Sequence, residues 1–337
     1  MSLFFKYIFL LFSLLSFVCN SQNNDSIALR KHFDYYLTQS NCYRNLEFLS
    51  TKIESRLSGS PGAAKAVVWA KKAMYEAGAD TVYLQSCMVP HWVRGEKEIC
   101  SSINSKTKKQ TSYSVCALGN SIGTPKTGIK AQVIIVNSYD QLDSLGEKNI
   151  KGKIVFYNVY FNHKHLSTGT CYGETVTYRY AGPSKAAKYG AVASIVRSMS
   201  SINNDFPHTG VMGYDTVLTP NKIPACAISF SSADKLLEEL KLNPALTIQL
   251  KMNCQMLPKE LSYNVVGEIK GSEKPNEIIM AGGHLDAWDN GQGAHDEAVK
   301  ALDHLSIPLV VWGAPHDDVE YCIVGSDNFH GGEISAE

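Results

Sequence analysis

The sequence lacks an excess of charge of either sign. Lys plus Arg number 32 and Asp plus Glu number 32, so no basic block points to nucleic acid and no acidic tail to a solvating segment. It shows no internal repeat and no low-complexity tract, which argues against a repeat array. Past the first 22 residues no apolar run approaches the roughly 20 residues a membrane-spanning helix needs. No cysteine pair has C-x-x-C spacing, so neither a zinc knuckle nor a dithiol redox site is indicated. What remains is a chain of 337 residues, 44% hydrophobic and 19% charged, long enough for two globular domains.

The N-terminus carries a positive pattern. Lys6 precedes the apolar run Tyr7 to Val18, followed by Cys19-Asn20-Ser21-Gln22. A short basic start, about a dozen apolar residues and small residues before a polar stretch read as an export signal over residues 1–21. The rival reading makes Cys19 the lipid-bearing first residue of a lipoprotein, for which Phe17-Val18 is a poor lead-in. The expectation is an exported protein, secreted or periplasmic. Cys42, Cys87, Cys100, Cys116, Cys171, Cys226, Cys254 and Cys322 follow. An exported compartment permits disulfides, and a few bridges plus buried thiols are expected, with no pairing legible.

Ser26 to about Arg56 shows helical spacing. A sharper helix follows, with Ser60 as N-cap, Pro61 at the first position and Gly78 as its stop. Ala63, Val67, Ala70 and Met74 fall on one face, and Thr81 to Gln85 reads as a strand. Gly119, Gly123, Pro125 and Gly128 suggest a linker or domain crossing. Beyond them Ala131–Val136 and Lys153–Tyr157 are strand-like runs joined by mostly polar residues. Pro183–Tyr189 reads as a helix ending at Gly190, Ala191–Val196 and Ile223–Phe230 as strands, and Ser231 to Asp234 as the start of a helix over Leu236–Leu240. Near residue 250 a third section opens, with strands expected at Tyr263–Ile269 and Glu277–Ala281.

The second of these runs into Gly282-Gly283-His284-Leu285-Asp286, and on to Asp296 through a glycine-lined loop. A histidine at a strand end can bind zinc through one ring nitrogen while a carboxylate two residues on holds the other. Asp296 could return to the same metal, and a carboxylate can bridge two ions about 3.5–4 Å apart that polarise a carbonyl and activate water. A bare His-x-Asp is common and weak; the preceding strand, the glycines and the second aspartate strengthen it. Trp92, Trp288 and Trp312 read as core or loop anchors, His91 and His208 as turn and packing residues, and His163 with His165 as a solvated loop.

Other segments extend the pattern. Arg56-Leu57-Ser58-Gly59-Ser60-Pro61-Gly62, Val89-Pro90-His91-Trp92-Val93-Arg94-Gly95-Glu96, Arg197-Ser198, Pro207-His208-Thr209-Gly210 and Ile223-Pro224-Ala225 stand in order with the metal loop. Together they resemble the zinc metallopeptidases of family M28, and within it the carboxypeptidase Q group. The resemblance implies an α/β zinc-exopeptidase fold, a mixed sheet flanked by helices with an inserted protease-associated domain. It divides the chain into a signal (1–21), the first part of the peptidase domain (22–120), the insert (121–250), a metal-binding part (251–297) and a tail (298–337). It implies two zinc ions, with His284 as a ligand, Asp296 as the bridging carboxylate and Asp286 as the residue that orients or tunes the site. The substrates implied are dipeptides or short peptides.

After Asp296 the sequence departs from the family pattern. A strand ending in Glu-Glu should supply a general base and a further ligand, yet Leu309–Trp312 is followed by Gly313-Ala314-Pro315-His316. No general-base glutamate is found, and one or no zinc ion is the alternative for this chain. The tail reads as divergent, frame-shifted or shortened, with its polar residues facing solvent rather than rebuilding the site from His316 or Asp317. Three readings stay open: an active exopeptidase, a catalytically incompetent relative, and a non-catalytic binding protein that uses the protease-associated module. A homodimer is a possible assembly, since a shortened sheet leaves apolar surface.

Overall fold

The computed structural model describes residues 26–289 apart from 36, 40, 54, 104–109, 163, 201, 209 and 281. The export signal, Asp296, Trp312 and the tail therefore lie outside the described residues. Residues 26–54 fall in one compact unit and 55–289 in another. In the first, residues 26–35 are helical and α1 (Cys42–Thr51) buries none of its residues.

The second unit opens with α2 (Pro61–Glu76). Ser60 caps it by accepting a hydrogen bond from the Ala63 amide at 3.1 Å, which satisfies one of the amides a helix start leaves unpaired. Ala63, Ala66, Val67 and Ala70 are its buried face. The helix lies on a two-stranded antiparallel ribbon of β1 (Thr81–Val93) and a strand over Gln255–Glu268. Both strands are longer than the apolar runs in the sequence suggest, because the ladder continues through polar cross-strand pairs such as Gln85 and Asn264.

Between the two ribbon strands the chain builds a separate sheet. In order come β2 (Ile99–Ile103), β3 (Gln110–Ser112), β4 (Val115–Ala117), β5 (Ile129–Val136), α3 (Tyr139–Ile150), β6 (Ile154–Tyr157), α4 (Thr168–Tyr180), α5 (Gly182–Lys188), β7 (Ala193–Arg197), β8 (Ala225–Ile228), α6 (Phe230–Leu242) and β9 (Thr247–Lys251), after which Gln255–Glu268 is β10. The strand order is β3-β2-β9-β5-β6-β7-β8-β4. β5 to β8 run parallel, and the outer strands are antiparallel. A parallel centre needs cover on both faces, and β6 shows it residue by residue. Ile154 and Phe156 enter one apolar cluster with Leu236 and Leu240 of α6, while Val155 and Tyr157 enter another with Leu142 of α3 and Ala186 of α5.

Three sequence expectations change. The polar stretch between β5 and β6 is the helix α3, capped by Ser138 and interrupted at Gly146; too few apolar residues mark its face. The helix over residues 230–242 is capped by Ser229 rather than Ser231. Residues 277–280 are irregular, with Ile278, Ile279 and Met280 exposed. An apolar run becomes a strand only with a neighbour to pair with, and the described residues offer it no ladder. Cys100, Cys171, Cys226 and Cys254 are buried thiols. No described helix is long and apolar enough to cross a membrane.

Candidate metal centre

His284 and Asp286 sit where the chain leaves the irregular stretch that follows β10. Their side chains meet, His284 Nδ1 to Asp286 Oδ1 at 2.8 Å, with the imidazole side chain 63% exposed and the carboxylate 22%. A contact of this kind orients an imidazole. A carboxylate on Nδ1 fixes the ring orientation and makes the opposite nitrogen, Nε2, the one that serves a metal. Among the described residues no group of three or more His, Cys, Asp and Glu converges as a complete site.

The backbone around Asp286 is held by Arg56. The Arg56 Nε donates to the Leu285 carbonyl at 3.0 Å, and the Ala287 amide donates to the Arg56 carbonyl at 3.1 Å. Asp286 is thus bracketed on both sides by one buried residue. Burial pulls the Arg56 guanidinium below its ordinary pKa, and the nearby charge of Asp286 opposes that shift. The turn after Arg56 is fixed in its own right. Gly59 has φ +77° and lies so close to His91 that a Cβ would stand 2.9 Å from the histidine Cβ, so the Arg56–Gly62 and Val89–Glu96 segments pack together here. His91 packs against Gly59, as expected, but it lies in β1 rather than in a turn.

The other end of the loop is held by Arg94. Its Nε donates to Asp289 Oδ2 at 2.7 Å and its Nη2 to Asp289 Oδ1 at 2.6 Å, a two-pronged ion pair. Nη1 donates to Glu98 Oε1 at 3.3 Å and to the Ala117 carbonyl. Glu98 in turn accepts from the Ala117 amide at 2.7 Å. Burial alone would lower the Arg94 pKa, yet its hydrogen bonds to Asp289 and the surrounding negative groups raise it on balance. Between the two arginines the Trp288 ring rests on Gly119, where any Cβ would collide with it. Gly119 therefore receives the loop that carries Trp288, and it also pairs with Gly210 through its amide at 2.9 Å. Trp92 is buried, with its indole N–H on the Ser121 carbonyl at 2.9 Å.

Of the expected site residues, the structure brings His284 and Asp286 together, and Asp296 lies outside the described residues. Sequence reasoning did not single out Asp289, nor assign Arg56 and Arg94 a task. All three stand inside the quoted segments, but their partners lie 195 residues apart in the ion pair and 229 in the Arg56 bond, beyond the reach of any local pattern.

Residues 264–307 match the family model for peptidase family M28. The chain is 40% identical over 259 residues to carboxypeptidase Q of Xenopus laevis, covering 77% of this chain and 52% of that protein. It is 37% identical over 264 residues to the Homo sapiens carboxypeptidase Q, covering 78% and 52%. The chain thus spans about half the length of the curated relatives it matches. A solved structure, the peptidase M28 precursor from Shewanella amazonensis SB2B, superposes with a TM-score of 0.72 at 32% identity, over 79% of this chain and 59% of that one.

Proposed function

Because the chain belongs to peptidase family M28, we propose that it serves as a zinc-dependent exopeptidase acting on dipeptides or short peptides. The observation that carries the reading is the His284–Asp286 contact at 2.8 Å, an oriented and exposed imidazole inside the matched segment. Its donor chemistry fits zinc, which takes imidazole nitrogen and carboxylate oxygen. His284 would be one ligand and Asp296 the bridging carboxylate of a two-ion site. Zinc, once bound, would polarise the scissile carbonyl and supply a water acidic enough to attack it at neutral pH.

The chain's own residues do the positioning. Asp286 holds the Nδ1 side of His284, so that the ring does not rotate away from its ligand geometry. Arg56 fixes the peptide units on either side of Asp286. We further infer that the inserted module, expected over residues 121–250, takes in residues 99–251, since the ribbon of β1 and β10 brackets them. The export signal over 1–21 belongs to the same reading; N-terminal sequencing of the exported protein, with a start at Gln22, tests it.

Zinc content and dipeptide hydrolysis measured on the full chain test the assignment. Zinc retained after dialysis, with hydrolysis lost on chelation, is the expected result. His284→Ala should lower zinc occupancy and abolish turnover, and hydrolysis surviving in that variant would remove His284 from the site. Peptide binding that is indifferent to chelator and never leads to turnover would favour a binding protein instead.

A further inference from the structure

Asp289 and Arg94 take no part in the zinc ligation proposed above, yet they form a strong ion pair next to it. The fork is two-pronged, at 2.7 and 2.6 Å, and its side chains are 10% and 15% exposed. Arg94 is itself immobilised from three sides. Glu98, 6% exposed, holds one amine, the Ala117 carbonyl accepts from the same amine, and the Trp92 ring lies 5.1 Å from the guanidinium carbon.

A largely buried ion pair is a poor device for stability. Its desolvation cost offsets most of the attraction, and apolar residues of similar volume often serve as well. A planar fork on a carboxylate does what apolar contact cannot: it fixes distance, plane and direction at once. The segment it fixes is the short run carrying His284 and Asp286. That run is pinned at Leu285 and Ala287 by Arg56, at Trp288 by Gly119, and at Asp289 by Arg94. The first pin comes from the segment before α2, and the others from the residues that open the large sheet.

We propose that Arg94 is a positioning residue for the metal loop, whose fork on Asp289 sets the conformation of residues 285–289 in advance of zinc and thereby sets zinc affinity. The proposal rests on the zinc reading for its second half and on geometry alone for its first. It also gives the large sheet a direct mechanical link to the metal loop.

The experiment uses the full chain and two variants. Asp289→Asn keeps the shape and removes the charge. Arg94→Lys keeps the charge and removes the fork. Two quantities are read: zinc affinity by competition with a chromogenic chelator, and amide exchange at Ala287 in metal-free protein. Both variants should weaken zinc by about 10- to 100-fold, the range seen for groups that orient metal ligands, and both should speed Ala287 exchange. Asp234→Asn, which breaks the Arg197–Asp234 pair at 2.8 Å between β7 and α6, should lower the melting temperature and leave both quantities unchanged. Wild-type exchange at Ala287 in both fork variants overturns the proposal, whether or not zinc binds. Faster exchange with unchanged zinc affinity overturns the link to the metal. Wild-type behaviour of Arg94→Lys overturns the role of the fork. A wild-type chain that takes up no zinc, with Ala287 exchange still responding, would sink the zinc reading and leave the loop-positioning half standing.

Discussion

Asp205 gathers four serine hydroxyls: Ser229, Ser231 and Ser232 donate to one oxygen at 2.6, 2.8 and 2.9 Å, and Ser114 to the other at 2.6 Å. Burial alone would raise this carboxyl, but the hydroxyls prevail and hold it down at about 2. The sign of the consequence follows. A carboxylate depressed in the folded state contributes stability above its unfolded value, and that contribution disappears as pH falls through the folded value. Asp205→Asn should therefore be less stable than wild type at neutral pH, by a margin that persists down to about pH 4. The margin should close as pH approaches about 2. Urea titrations of both proteins across that range check it, and a margin that widens on acidification would contradict the hydroxyl cage. Ser229 also caps α6 by accepting from the Ser232 amide at 3.1 Å, so the same cage steadies the start of that helix.

Among the elements, legibility followed how local the cause is. The start of α2 was readable because Ser60, Pro61 and the buried alanines lie within a few turns of one another. α5 was readable from Pro183 and from Gly190, whose φ of +77° ends the segment in a conformation glycine adopts without cost. α3 and α4 were not, since their buried positions are few and their helicity owes more to packing, α3 against β5 and α4 against α5, than to pattern. The loop over residues 284–289 was half readable. His284 and Asp286 stand two residues apart, so their contact is local, whereas Arg56, Arg94 and Gly119 reach the loop only through the fold. Gly119 shows the difference: in sequence it looks like linker, and in the structure it is the seat of Trp288. Gly119→Ala should push Trp288 off that seat and destabilise the protein by about 1–3 kcal/mol, the usual cost of forcing atoms into a packed site. Thermal melts with Trp fluorescence would register both effects. An alanine variant with unchanged melting and unchanged fluorescence would mean the ring does not rest there.

For the whole molecule, the question is which part of the chain holds itself together. The two apolar clusters answer it, because their buried members run from Trp92 to Cys254. Leu57 and Trp288, from outside that span, pack only at the margin of one cluster. The sheet edges close within the same span, with β3 at one side and β4 at the other. Cutting the chain there would remove Asp289, but Arg94 would keep Glu98 and the Ala117 carbonyl, so no buried charge would be orphaned. A fragment of residues 90–256 should therefore fold alone, with one cooperative transition and an unfolding enthalpy near the usual ~0.7 kcal/mol per residue at about 60 °C. Calorimetry with circular dichroism tests this. Noncooperative melting would show that the sheet depends on the ribbon and the 284–289 loop as much as the loop depends on it. A cooperative fragment would make the dependence one-sided: the large sheet is the rigid body, and Arg94 is one of the points through which it positions His284 and Asp286.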